Sequence, residues 1–207
     1  MWNGTVNLAP MKILVLDEAD RMLDMGFAPQ INQILEAMPE ERQTLLFSAT
    51  MPADLNQLAR ANVKNPVSVM VSRPATTSTG VTQAVHHTTH DSKADLLVSL
   101  LGENKDSVLV FPRTKHRADK LGRLLGSAGH KVAVIHGNRS LSQRRAALEG
   151  FRRGTFRVLV ATDVAARGID VANIGHVVNF DLPNCPEDYI HRIGRTARAG
   201  KAGHAFT

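Results

Sequence analysis

A chain of 207 residues, 43% hydrophobic and 21% charged, has apolar material for one large or two small packed domains and no fibrous or disordered bias. It has no apolar run of the roughly eighteen residues a membrane helix needs and no basic-then-apolar export signal at its start. Its single cysteine, Cys185, has no partner in the chain, so the expectation is a protein of the reducing cytoplasm. Net charge is +6 but uneven: 6 basic against 8 acidic residues through Gln83, or −2, then 19 against 11 beyond it, or +8. The second part suits a polyanion, although a solvated basic surface would have the same composition.

In chain order, the apolar runs Lys12–Leu16, Thr44–Phe47 and Val67–Val71 read as buried strands, with helical patterns at Ile31–Met38 and Asp54–Asn62 between them. Pro74, Gly80 and a cluster of Ser and Thr make Ser72–Gly80 a linker. Beyond it, strands are expected at Val81–His90, Ser107–Phe111, Val132–His136, Arg157–Ala161 and His176–Phe180. The helices Lys93–Leu101, Lys115–Ser127, Ser142–Arg152 and Pro186–Ile193 separate them. Such alternation with continuously apolar strands predicts α/β parallel sheets covered by helices, whose sites gather at the carboxyl ends of the strands.

The sharpest local signal is Ile13-Leu14-Val15-Leu16-Asp17-Glu18-Ala19-Asp20, a strand that ends abruptly in carboxylates. Magnesium prefers oxygen ligands and keeps waters, so Asp17 and Glu18 at a strand tip can hold it beside a triphosphate, with Glu18 orienting the attacking water. An ordinary loop start would look the same in isolation. Phe47-Ser48-Ala49-Thr50-Met51-Pro52 follows about thirty residues on. The second half carries Val108-Leu109-Val110-Phe111-Pro112-Arg113-Thr114, then Thr162-Asp163-Val164-Ala165-Ala166-Arg167-Gly168-Ile169-Asp170, then His191-Arg192-Ile193-Gly194-Arg195-Thr196-Ala197-Arg198. If that last segment is helical, Arg195 and Arg198 share a face and can jointly neutralise a transferring phosphoryl group.

In this order and over nearly the whole chain, these segments resemble the motifs of the DEAD-box ATP-dependent RNA helicases of bacterial type. The resemblance implies two RecA-like parts: a partial first lobe over 1–71, a linker over 72–83 and a nearly complete second lobe over 84–207. It implies ATP and Mg2+ as cofactors and RNA, single-stranded or in short duplexes and without sequence preference, as partner. It gives catalytic roles to Asp17, Glu18, Asp20, Ser48, Thr50, Arg195 and Arg198, and to His191 and Arg192 as groups that reach across to the acidic and Ser-Ala-Thr motifs. Asp170, Gly168, Arg195 and Arg198 would face the nucleotide, and Arg113, Thr114, Arg144, Thr162 and Asp163 the RNA.

The chain departs from the family pattern in several places. Ala197 stands where many relatives have Gly, a change tolerable in a helical backbone. Leu141 replaces the glutamine of a Gln-x-x-Arg RNA contact, for which Gln143 is the available stand-in. No Gly-x-x-x-x-Gly-Lys followed by Ser or Thr occurs, so these residues by themselves are expected not to turn over ATP normally. The rival reading is a passive RNA-binding module made from the second lobe. A first lobe stripped of neighbouring strands is also expected to self-associate. His86, His87 and His90 read as polar strand residues rather than metal ligands.

Overall fold

The computed structural model describes residues 6–70, 80–103, 105–166, 171, 174–197 and 202–207, with only the backbone of Val164. The chain divides into two compact units, Met1–Ala75 and Thr76–Thr207. In both, parallel strands alternate with helices.

In the first unit β1 (Ile13–Leu16) runs into α1 (Ala19–Asp24), followed by α2 (Ala28–Ala37), β2 (Gln43–Leu46) and α3 (Ala53–Asn62). The strands pair in parallel, Ile13 opposite Gln43 and Leu16 opposite Leu46. Helix α1 was not anticipated, and its end is set by Gly26. At φ +75° this glycine lets its own N–H reach the Leu23 carbonyl (2.8 Å) and that of Phe27 reach Met22 (3.0 Å), the Schellman arrangement. Strand alternation sends Leu14 and Leu16 toward Ala19, Met22, Leu46, Leu55 and Leu58. It leaves Ile13, Val15 and Phe47 more than half exposed on the other face. The expected strand Val67–Val71 is not formed over its described part: Val67 and Val69 are 89% and 79% exposed. A strand exists only against a hydrogen-bonding neighbour, and among the described residues β1 and β2 pair only with each other.

The second unit contains β3 (Val81–Ala84), α4 (Lys93–Glu103), β4 (Val108–Val110), α5 (Lys115–Ser127), β5 (Val132–Ile135), α6 (Leu141–Arg152), β6 (Val158–Ala161), α7 (Asp163–Ala166), β7 (His176–Val178), α8 (Pro186–Ile193) and β8 (Gly203–Phe206). Among the described residues six strands form one parallel sheet in the order β3-β8-β7-β4-β6-β5. Both faces are covered. Leu109 and Leu159 pack with Ala147 and Phe151 of α6, while Val108, Val110, Val158 and Val160 pack with Leu97, Leu101, Leu121 and Leu125 of α4 and α5. Strand β3 begins at Val81 as expected but ends at Ala84 rather than His90. His86, His87 and His90 therefore lie beyond the strand in which they were expected. Strand β8, Gly-His-Ala-Phe, was missed because it has no apolar run.

Candidate functional site

The end of β1 delivers its carboxylates through one unusual residue. Glu18 lies in the left-handed region at φ 50°, ψ 44°, a conformation disfavoured for a side chain with a Cβ and concentrated where function over-determines the backbone. Its N–H donates to Asp17 Oδ1 (2.9 Å), and Arg21 Nη1 donates to Glu18 Oε2 (3.3 Å). Asp17 is exposed and Glu18 half-buried. An oxygen-only pair of this kind fits magnesium through bridging waters, with phosphate oxygens needed to complete the coordination.

Asp20 does something different. It is 3% exposed, and its Oδ2 accepts both the Thr50 N–H (2.8 Å) and the Thr50 hydroxyl (2.7 Å). Its Oδ1 accepts the Arg21 N–H (2.9 Å), and its own N–H donates to Ser48 Oγ (3.2 Å). Ser48 Oγ in turn donates to the Thr50 carbonyl (2.7 Å), and the Ala19 N–H donates to the Phe47 carbonyl (3.1 Å). Burial alone raises the Asp20 pKa, but the Thr50, Ser48 and Arg21 hydrogen bonds outweigh it and hold the carboxyl below its ordinary value. The acidic turn and the Ser-Ala-Thr turn are thus one hydrogen-bonded body. Asp20, Ser48 and Thr50 tie the two turns together, and Asp17 and Glu18 are left to face outward.

In the second unit Arg192 is 2% exposed. Its Nε and Nη2 donate to the two oxygens of Asp163 (2.6 and 2.7 Å). Nη1 donates to the Asp181 carbonyl (2.6 Å) and Asn179 Oδ1 (3.3 Å), and the guanidinium lies 5.0 Å from the Phe111 ring centroid. A bidentate pair this buried is a structural tie. It also occupies the Asp163 carboxylate that sequence reading assigned to RNA. Of the two groups expected to reach outward, His191 is the half-buried one.

The helix carrying them stops at Ile193, so Arg195 lies beyond it rather than on a helical face. Arg195 sits instead on a turn pinned by the buried Thr196, whose hydroxyl donates to the carbonyls of Ile174 and Gly175. Gly203 packs so closely there that a Cβ on it would meet Thr196 Oγ1 at 2.1 Å. Ala197 has φ 52°, in the left-handed region, which corrects the expectation of a helical backbone and gives the physical reason a glycine suits this position. Gln143, the available stand-in for the missing glutamine, is engaged locally through its side-chain oxygen. Its Oε1 accepts the Ser140 N–H (3.0 Å) and Ser140 Oγ accepts the Gln143 N–H (3.2 Å), the capping box that starts α6. Leu141 beside it is 62% exposed.

Arg113 and Thr114 form the exposed turn between β4 and α5, with Thr114 as N-cap accepting the Arg117 N–H (3.2 Å). Thr162, half-buried, follows β6, and Arg144 lies in the first turn of α6. All four lie at carboxyl ends of strands or the helix starts that follow them. Gly168, Asp170 and Arg198 lie outside the described residues. Asp181 was missed by sequence reading. It is 4% exposed and follows β7, and its carboxylate accepts from Lys93 Nζ (3.2 Å), Arg117 Nη1 (2.8 Å) and the Arg113 N–H (2.9 Å). The strand-end rule that singled out Asp17 applies equally to His176–Asp181 and would have found it.

The DEAD/DEAH box helicase family model matches residues 1–58, and the helicase conserved C-terminal domain model matches residues 92–200. Saccharomyces cerevisiae Dbp5 bound to RNA and ADP BeF3 is 35% identical with TM-score 0.89, over 100% of this chain and 55% of that one. A DEAD box protein from Methanococcus jannaschii is 40% identical with TM-score 0.59, over 99% and 55%. The yeast DEAD-box splicing factor Prp28 is 33% identical with TM-score 0.59, over 99% and 47%. The chain belongs to the DEAD-box helicase family, and its two units are RecA-like. It spans about half the length of these relatives.

Proposed function

We propose that these residues are the acidic-motif part of the first lobe and most of the second lobe of an ATP-driven, RNA-remodelling helicase. The observation that carries this reading is the body formed by Asp20 with Ser48 and Thr50, which holds the outward-facing Asp17 and Glu18 against the Ser-Ala-Thr turn. In the reading, Asp17 and Glu18 hold hydrated magnesium on the phosphates of ATP, Glu18 orients the attacking water, and Arg195, with Asp170 and Arg198 by resemblance, meets the nucleotide. His191 takes the outward-reaching role, while Arg192 keeps the motif's shape. Arg113, Thr114, Arg144 and Thr162 contact phosphates of RNA, which gives binding without base preference. The exposed face of Ile13, Val15 and Phe47 supports self-association of the isolated 207 residues, which dilute light scattering reads directly.

The test is binding of oligouridylate across a salt series. Two phosphate contacts at Arg113 and Arg144 give log K a slope on log salt of at least about −1.4. Arg113→Ala with Arg144→Ala flattens it. Affinity that is the same at low and high salt overturns the RNA reading.

A further inference from the structure

The ion cluster around Asp181 holds more positive charge than a buried carboxylate requires. Lys93 Nζ (3.2 Å) and Arg117 Nη1 (2.8 Å) both donate to the same oxygen, Oδ1, while Oδ2 accepts the Arg113 N–H (2.9 Å). One cation balances the single negative charge of this carboxylate, so with two the cluster of Lys93, Arg117 and Asp181 is left net positive. Both cations lie over the Phe180 ring, at 5.0 and 5.7 Å from its centroid, and both side chains stay about a third exposed, at 31% and 30%. Holding two like charges on one oxygen at an accessible position costs Coulomb energy that an anion from solution would relieve. Arg117 Nη2 also bonds the exposed His90 ring, which keeps its head beside the opening of α4.

The backbone adds to this preference. Lys93 is the first residue of the eleven-residue α4, and Arg117 is in the first turn of the thirteen-residue α5, so the positive ends of two helices reinforce the cation pair. The cluster is bonded to the Arg113 N–H and so adjoins the turn Arg113-Thr114 proposed above to meet RNA.

We propose that Lys93 and Arg117, held together by Asp181 over Phe180, form a phosphodiester-binding site that extends the RNA track beyond Arg113 and Thr114. The proposal rests on the RNA-binding reading of the second unit. Its ligand is one backbone phosphate of single-stranded RNA, and it reads no base.

The experiment compares oligouridylate binding by the 207-residue chain, Lys93→Gln, and the triple variant Lys93→Gln/Arg117→Gln/Asp181→Asn over a salt series, with folding checked by circular dichroism. The triple variant removes the carboxylate together with its cations, so no buried charge is stranded. Lys93→Gln keeps the Arg117–Asp181 pair and serves if the triple variant does not fold. One lost phosphate contact shallows the slope of log K against log salt by about 0.7 and weakens binding about fivefold at 0.1 M salt. A cluster that serves only to neutralise Asp181 leaves the slope at its wild-type value in whichever variants fold, and that result overturns the proposal. Wild-type chain that shows no salt-dependent binding overturns the RNA reading and this site with it. A normal wild-type slope shared by the variants overturns the site alone.

Discussion

Replacing Asp20 with alanine separates the acidic turn from the Ser-Ala-Thr turn, and the size of the effect follows from what the carboxylate accepts. Three donors lose their partner: the Thr50 N–H, the Thr50 hydroxyl and the Arg21 N–H. A buried donor left unsatisfied costs about 1–3 kcal/mol. Thr50 is only half-buried and water can reach part of the gap, so the low end applies and the total is about 3 kcal/mol. That matches the loss of one fully buried leucine, about 1.5–3 kcal/mol, beside a small apolar cluster whose buried members among the described residues are Leu16, Ala19 and Leu55. Asp20→Asn keeps one acceptor and should lose about half as much. The assay is urea unfolding with hydrogen exchange at the Thr50 and Ala19 amides, which report the two turns. A double-mutant cycle with Thr50→Val isolates the shared hydroxyl bond. Because the Asp20 pKa is held below its ordinary 3.8, this stability is complete above that value and is lost as pH falls through the lower folded value. Wild-type urea midpoints and amide protection in Asp20→Ala would refute the argument.

Three further outcomes are expected. Ala197→Gly relieves a left-handed alanine worth about 1–2 kcal/mol, less about 0.4–1 kcal/mol of added unfolded-chain entropy, so the thermal midpoint rises slightly; a clear fall contradicts the strain reading. His176, buried on β7 and stacked on His204 and Phe206 at 5.0 and 5.5 Å beside Asp106 and Arg157, has its pKa lowered by burial and then by His204 and Arg157, against the Asp106 contact. Its protonation favours the unfolded chain, so stability falls as pH drops below the ordinary 6.5 and levels off below the folded value, by at most about 1.4 kcal/mol per pH unit; His176→Phe should remove that part of the slope in pH-dependent urea unfolding, and an unchanged slope counts against it. The 207 residues alone should release phosphate from ATP with RNA at the background rate of Glu18→Gln, since no P-loop is present to hold the β and γ phosphates; multiple turnovers that vanish in Glu18→Gln would show a complete site.

The fold was most legible where burial is two-sided. Val108–Val110 and Val158–Ala161 are continuous apolar runs because both faces of the sheet are covered, and such runs are found by composition alone. Elements whose formation depends on a neighbour were misread in both directions. Val67–Met70 has the residues of a strand and no strand partner among the described residues, whereas Gly203–Phe206 has poor strand residues and two partners, β3 and β7. Propensity is a local quantity, but pairing is not.

The site follows the same division. Asp17, Glu18, Arg113 and Thr114 stand out in sequence because strand-end residues interrupt apolar runs, and their position is fixed by the strand itself. What sequence spacing did not reveal was which polar residues face outward and which are consumed inside the protein. Asp20 and Arg192 sit within motifs dense in chemistry, yet each spends its hydrogen-bonding capacity on its own unit, 3% and 2% exposed. Asp181 and Lys93 lie 88 residues apart and belong to no run that spacing could join. A motif therefore marks a place where precise geometry is needed, but it does not distinguish the groups that do the chemistry from those that hold them. That distinction depends on burial, and burial is set by the whole sheet: the loop after β7 binds Lys93, Arg113, Arg117 and Arg192 at once, so it connects the starts of α4 and α5 with the last turn of α8. A change of charge at Asp181 should consequently be felt at the starts of α4 and α5 together, because Lys93, Arg117 and the Arg113 N–H all donate to its carboxylate.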